Sequence, residues 1–153
     1  MPDWLEIAMR LVAAAVLGGA IGLNRHLHHK ATGLRTLSLV ACSAASLVLV
    51  TLHGSDGVLH YDAMSRVIQG LMTGLGFIGA GVIIRGQTDE KVHGLTTAAA
   101  VWTTAALGAL CGIGAWKVIV VLAIVVWAVL LFGAAIERAW RQAFEDKPDR
   151  SSH

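Results

Sequence analysis

The side chains able to do chemistry are few, and most stand beside long apolar runs. His26, His28 and His29 fall within four positions between Arg25 and Lys30, and imidazoles so placed invite a metal reading. A metal needs ligands converging at about 2 Å and a second layer that orients them. Four consecutive residues do not guarantee either, so the cluster reads as a solvated basic linker beside anionic lipid. Asp56 and Asp62, separated by five residues, are thin material for a divalent-cation cage. Gly74-Leu75-Gly76-Phe77-Ile78-Gly79 has the glycine spacing of a dinucleotide-binding loop. That loop also needs a preceding strand and an acidic residue about 20 positions on, where this chain has Thr96-Thr97-Ala98-Ala99. No Ser-His-Asp or Cys-His arrangement assembles, because the histidines lie in linkers or tail and the nearby hydroxyls suit helix packing. The residues therefore predict no enzyme, no cofactor and no metal site.

The elements that must position these groups follow from composition. Among 153 residues 56% are apolar and only 14% charged, against roughly a quarter charged in soluble proteins. Two Pro, two Cys and unperiodic Gly exclude disordered, disulfide-scaffold and collagen-like chains. A net charge of +2 is too balanced for a nucleic-acid arm. A bilayer core of about 30 Å takes about 20 apolar residues per helix, and five runs qualify: 5–23, 36–52, 67–84, 95–111 and 118–136. The expected fold is an all-α polytopic transmembrane bundle of about five spans in residues 1–136, with a charged amphipathic tail over 137–153. Cys42 and Cys111 lie in separate spans and read as buried small apolar residues.

Orientation follows from Lys and Arg. Nine of the twelve (Arg25, Lys30, Arg35, Arg85, Lys91, Arg138, Arg141, Lys147, Arg150) fall on one side, and Arg10, Arg66 and Lys117 on the other. The N-terminus is expected in the periplasm and the tail in the cytoplasm. Trp4, Tyr61, Trp116 and Trp140 fall near span ends, as interfacial aromatics do.

A shift of about 61 residues lays the chain on itself. Gly33-Leu34-Arg35-Thr36, Val40 and Ala44-Ala45 meet Gly94-Leu95-Thr96-Thr97, Val101 and Ala105-Ala106. Upstream, Gly19-Ala20 to Arg25 meets Gly79-Ala80 to Arg85 after a one-residue gap. Spans one and two would thus recur as spans three and four in the same direction, about an axis along the membrane normal. Span five has no counterpart.

Within this frame a cluster of polar and glycine residues is the candidate site: Glu6, Arg25, Arg35, Thr36, Gly74, Gly76, Gly79, Gly81, Arg85, Thr96 and Thr97. Glu6 and Arg10 stand i,i+4 and read as an interfacial pair, Glu6 being the one carboxylate within any span. Arg35, ahead of the hydroxyls of Thr36, Ser38, Ser43 and Ser46, either snorkels to the headgroups or folds inward onto Glu6, Asp62 or an anion. Gly18/Gly22, Gly70/Gly74 and Gly108/Gly112 repeat at i,i+4 and suit close helix packing. A sharper alternative lets Gly74, Gly76, Gly79 and Gly81 unwind span three and offer carbonyls to an ion or substrate.

Four strings together resemble the MgtC/SapB membrane domain: Ile21-Gly22-Leu23-x-Arg25; Gly33-Leu34-Arg35-Thr36-x-x-Leu39-Val40; Gly74-x-Gly76-Phe77-x-Gly79-Ala80-Gly81-Val82-Ile83-x-Arg85; and Gly94-Leu95-x-Thr97-Ala98-Ala99-x-x-Trp102. Order and spacing match from about residue 5 to residue 135. The resemblance implies a bacterial inner-membrane protein linked to survival in low magnesium, virulence and regulation of other membrane machines. Its expected associations are the lipid bilayer, further copies of itself and a membrane-protein partner, with no nucleic acid. Two positions depart from the family pattern: Asn24 stands where Glu often precedes the arginine, and Leu37 where a His or Asn often follows Gly-Leu-Arg-Thr. Some members carry a cytoplasmic regulatory domain after the last span, and regulation of that kind is not expected here. The alternative function is a small ion or solute carrier, of divalent cations for instance, with its path at the repeat interface.

Overall fold

Each apolar run becomes a helix at least as long as itself. They are α1 (Trp4–Leu27), α2 (Leu34–Leu52), α3 (Tyr61–Ile84), α4 (Leu95–Ile113) and α5 (Trp116–Glu145). The structure, a computed structural model, describes residues 2–28, 30, 32–52, 60–84 and 94–145, without the side chains of 84, 134, 135, 137–139 and 141–145. All five helices are long and apolar enough to cross a membrane, and no strand occurs among the described residues. The expected all-α polytopic bundle is therefore the observed one. Its helices outrun the charge-free stretches because helical hydrogen bonding continues into charged turns. Thus α3 begins at Tyr61 and carries Asp62 and Arg66 in its opening turns, and α5 runs to Glu145. Trp4, Tyr61 and Trp116 open α1, α3 and α5, all exposed and all at one end of the bundle.

The turn between α4 and α5 is set by one glycine. Gly114 takes the left-handed conformation (φ 82°), with its N–H on Cys111 O at 3.0 Å and the Ala115 N–H on Leu110 O at 3.1 Å. This pair of bonds closes the last carbonyls of α4, and a residue without Cβ adopts the required φ at least cost.

The core is built by α1, α2 and α4. Lipid offers no hydrophobic drive for helices to associate, so contact must come from close packing, and small residues permit it. A Cβ added at Gly18 would lie 2.5 Å from Leu37 O, and one at Gly112 would lie 2.5 Å from Ala45 O. One added at Gly108 would collide with the backbone of Ala41. Ala14, Ala41, Ala45, Val101, Ala105 and Cys111 fill the space between with almost no exposed surface. By contrast, α3 and α5 lie at the margin: Phe77 is 85% exposed, and Val121, Ile124, Val125 and Phe132 also point away from the bundle. Such faces suit acyl chains or neighbouring membrane helices.

A glycine contact occurs in both helix pairs, although the alignment above sets Gly79 against Gly19 rather than Gly18. Gly18 meets Leu37 and Ala41, and Gly79 meets Ala98 and Trp102 in a looser contact.

Candidate functional site

Two arginines on one face of α1 are buried, Arg10 at 8% exposure and Arg25 at 3%. They stand 15 residues apart in a stripe that includes Ala14, Gly18 and Gly22. At 1.5 Å per residue that separation is about 22 Å, so each arginine lies near one end of the apolar span. Both are answered from α4. Arg10 Nη1 donates to Gly112 O at 2.7 Å, and Arg25 Nη2 donates to Thr97 Oγ1 at 2.5 Å. Thr97 and Gly112 are also 15 residues apart, so the antiparallel pair α1 and α4 is pinned at two rungs of equal spacing. A guanidinium in a low-dielectric setting is costly unless hydrogen-bonded, and these contacts supply part of what each requires.

The first rung carries a counter-charge. Arg10 Nη2 is paired with Glu6 Oε1, and Glu6 itself is about two-fifths exposed. Gly114, in the turn after α4, packs against the Arg10 guanidinium, and a Cβ there would meet Arg10 Nη2 at 2.8 Å. The Glu6–Arg10 pair read from the sequence is thus present, but as one edge of a buried centre that also takes in Gly112 and Gly114. Sequence reading missed those two partners, since hydrogen bonds across 102 residues leave no local trace. The available signal was an arginine in register with a small-residue stripe.

At the second rung Arg25 has no described carboxylate within salt-bridge distance, and its Nε has no hydrogen-bond partner. Asn24, His28, Lys30 and Thr96 surround the same end, with a cavity of about 210 Å³ between them and α5. His28 Nδ1 lies 2.7 Å from Asn24 O, which ties the end of α1 to the linker.

The other predicted positions separate. Arg35 and Thr36 are exposed at the start of α2, so Arg35 does not fold inward onto Glu6 or Asp62. Thr96 is exposed beside buried Thr97. Gly74, Gly76 and Gly81 lie on exposed parts of α3 with no neighbour for an added Cβ within 4 Å, whereas Gly79 packs on Ala98 and Trp102. The α3 helix is continuous through all four glycines, so the unwound alternative gives way to a regular helix. With each internal N–H and C=O held in the helical ladder, α3 offers no free carbonyls there. Of the small-residue pairs, Gly18/Gly22 and Gly108/Gly112 make close contacts while Gly70/Gly74 face open space. Arg85, His29 and Asp56 lie outside the described residues. Among the described residues no group of three His, Cys, Asp or Glu is placed to hold a metal ion.

Comparison with known proteins adds a family match and three relatives. The sequence model of the MgtC family matches residues 11–139. The chain is 42% identical over 123 residues to Protein SrpB of Synechococcus elongatus, covering 75% of this chain and 68% of that one. It is 40% identical over 116 residues to the protein named Putative magnesium transporter YhiD of Escherichia coli K12, covering 73% of this chain and 53% of YhiD. It is also 40% identical over 109 residues to Protein MgtC of Salmonella typhimurium LT2, covering 71% of this chain and 44% of MgtC. The chain thus spans about half the length of YhiD and rather less of MgtC. No solved structure matches.

Proposed function

Because this chain belongs to the MgtC family, we propose that it is a non-enzymatic inner-membrane protein of magnesium-stress adaptation that acts by binding another membrane complex. The carrying observation is the division of the bundle into a close-packed part and an open part. The α1, α2 and α4 helices meet through glycine-to-backbone contacts, while α3 and α5 keep wide apolar faces uncovered. Helices associate in lipid through just such small-residue surfaces, so α3, with Gly70, Gly74 and Gly81 open, is the face we assign to a membrane partner or a second copy. The periplasmic N-terminus and cytoplasmic tail belong to this reading and rest on the Lys/Arg asymmetry. So does the two-helix repeat, which rests on the sequence match of Gly33-Leu34-Arg35-Thr36 with Gly94-Leu95-Thr96-Thr97.

A second reading is a divalent-cation carrier with its path at the repeat interface, favoured by the name of the Escherichia coli relative, Putative magnesium transporter. One experiment separates the two. Proteoliposomes holding the folded protein are compared with empty vesicles for magnesium entry, and photo-crosslinkers at Phe77 and at Val121 are tested in membranes. Entry no greater than in empty vesicles, with a discrete crosslinked membrane protein from Phe77, is the result expected. Saturable entry that is lost in Arg25→Ala would overturn the regulator reading in favour of the carrier.

A further inference from the structure

A buried cation with spare donors asks for an anion, and the end of the bundle where α1 finishes has one. Arg25 is nine-tenths buried and more, its Nε makes no hydrogen bond, and its one described side-chain partner is the neutral hydroxyl of Thr97. Among the described side chains no carboxylate compensates this charge, and an uncompensated arginine is unfavourable away from water. The carboxylates whose side chains are described, Asp3, Glu6 and Asp62, all belong to the first turns of α1 and α3 or the residue before, at the far end of the bundle. Among the described side chains the charges at the Arg25 end are basic, with Lys30 and Arg35 exposed nearby in the sequence.

Arg25 borders the cavity of about 210 Å³, and the cavity has two unlike walls. One is polar and cationic, made by Arg25, Lys30, Asn24 and Thr96; the other is Val129, Leu130 and Gly133 of α5. Since water takes about 30 Å³ per molecule in the liquid, the space suits a phosphate group with its first substituent. The positive end of the α4 dipole adds to the same field, because α4 starts at Leu95 and its N-cap Gly94 has no side chain to satisfy the first-turn N–H groups. The apolar wall is continuous with the exposed apolar surface of α5, a face that suits acyl chains.

We infer that this cavity binds a phosphate-bearing anion, the chemistry shared by phospholipid headgroups and free phosphate, through Arg25, Lys30, Asn24 and Thr96. Arg25 presents the fork of donors that fits phosphate oxygens, Lys30 contributes a mobile charge at the mouth, and Asn24 and Thr96 add neutral donors. The Asn24 amide suits this role better than a carboxylate would, since an acid here would compete for Arg25. The inference needs only that the helices span a membrane. It does not depend on whether the protein regulates or transports.

The test uses the full chain in a sugar detergent free of phosphate, with retained lipid read by native mass spectrometry and stability by thermal unfolding. The probes are dioleoylphosphatidylglycerol, dioleoylglycerol with the same chains but no phosphate, and inorganic phosphate. Phosphatidylglycerol is expected to be retained and stabilising, and dioleoylglycerol not. Lys30→Gln, at an exposed position, should weaken retention about fivefold, and Arg25→Gln more than tenfold. Stabilisation by inorganic phosphate, lost in the same variants, would assign the site to free phosphate and sustain the inference. Equal retention of the two lipids, or retention unchanged in folded Lys30→Gln and Arg25→Gln, would overturn it and show that the Arg25 charge is met within the chain. Neither outcome bears on the magnesium-flux comparison.

Discussion

Alanine placed at two of the glycines should move stability in opposite directions. At Gly108 a methyl group runs into the backbone of Ala41 in α2, an obstacle no side-chain rotation removes. Forcing apart packed helices by one methyl group costs about 1–3 kcal/mol, while replacing glycine within a helix returns about 0.5–1 kcal/mol. Gly108→Ala should therefore lose up to about 2.5 kcal/mol. At Gly74 the added methyl meets nothing within 4 Å, the packing penalty vanishes, and Gly74→Ala should gain about 0.5–1 kcal/mol. For a chain of this length about 1 kcal/mol moves Tm by roughly 3 °C, so the two variants should differ by about 3–9 °C in thermal unfolding of the detergent-solubilised protein. The measurement should be made with the oligomeric state recorded by crosslinking, since a copy seated on α3 would add a contact at Gly74. Shifts of the same sign and size in a monomeric sample would refute the reasoning, because they would mean that α3 is packed as closely as α4.

The two rungs between α1 and α4 give further expectations. Arg10→Met removes the bond to Gly112 O and should cost about 1.5–3 kcal/mol, whereas Glu6→Gln, at a part-exposed carboxylate, should cost no more than about 1 kcal/mol; denaturant titration of both variants checks the asymmetry. Thr97→Val keeps shape but takes away the acceptor for Arg25 and should cost about 1–3 kcal/mol, against a change within about 0.5 kcal/mol for Thr96→Val at its exposed neighbour.

Apolar runs carried the helix count because a bilayer imposes a minimum length that few other structures meet. They understated helix ends wherever charge begins inside a helix, as at Asp62 and Arg66 of α3 and at Asn24 and Arg25 of α1. The Glu6–Arg10 pair was legible, being i,i+4. What lay beyond the sequence was which helices touch: Gly70/Gly74 and Gly108/Gly112 carry the same spacing, yet one pair faces open space and the other the backbone of α2. Arg25 and Arg35 likewise flank the same basic linker, and burial of one and exposure of the other follow from helix contacts alone.

The dependence of both α1 arginines on α4 has a consequence for biosynthesis. The chain leaves the ribosome from its N-terminus, so α1, α2 and α3 are made before Thr97 or Gly112 exists. Until then, an inserted α1 carries two cationic heads about 22 Å apart, each able to rest in its own headgroup layer. These heads hold α1 at a fixed depth and leave its small-residue stripe free for α2. When α4 enters it must pass inside α3, already synthesised, to reach that waiting face. Synthesis of the third helix therefore precedes completion of a core from which it is largely left out.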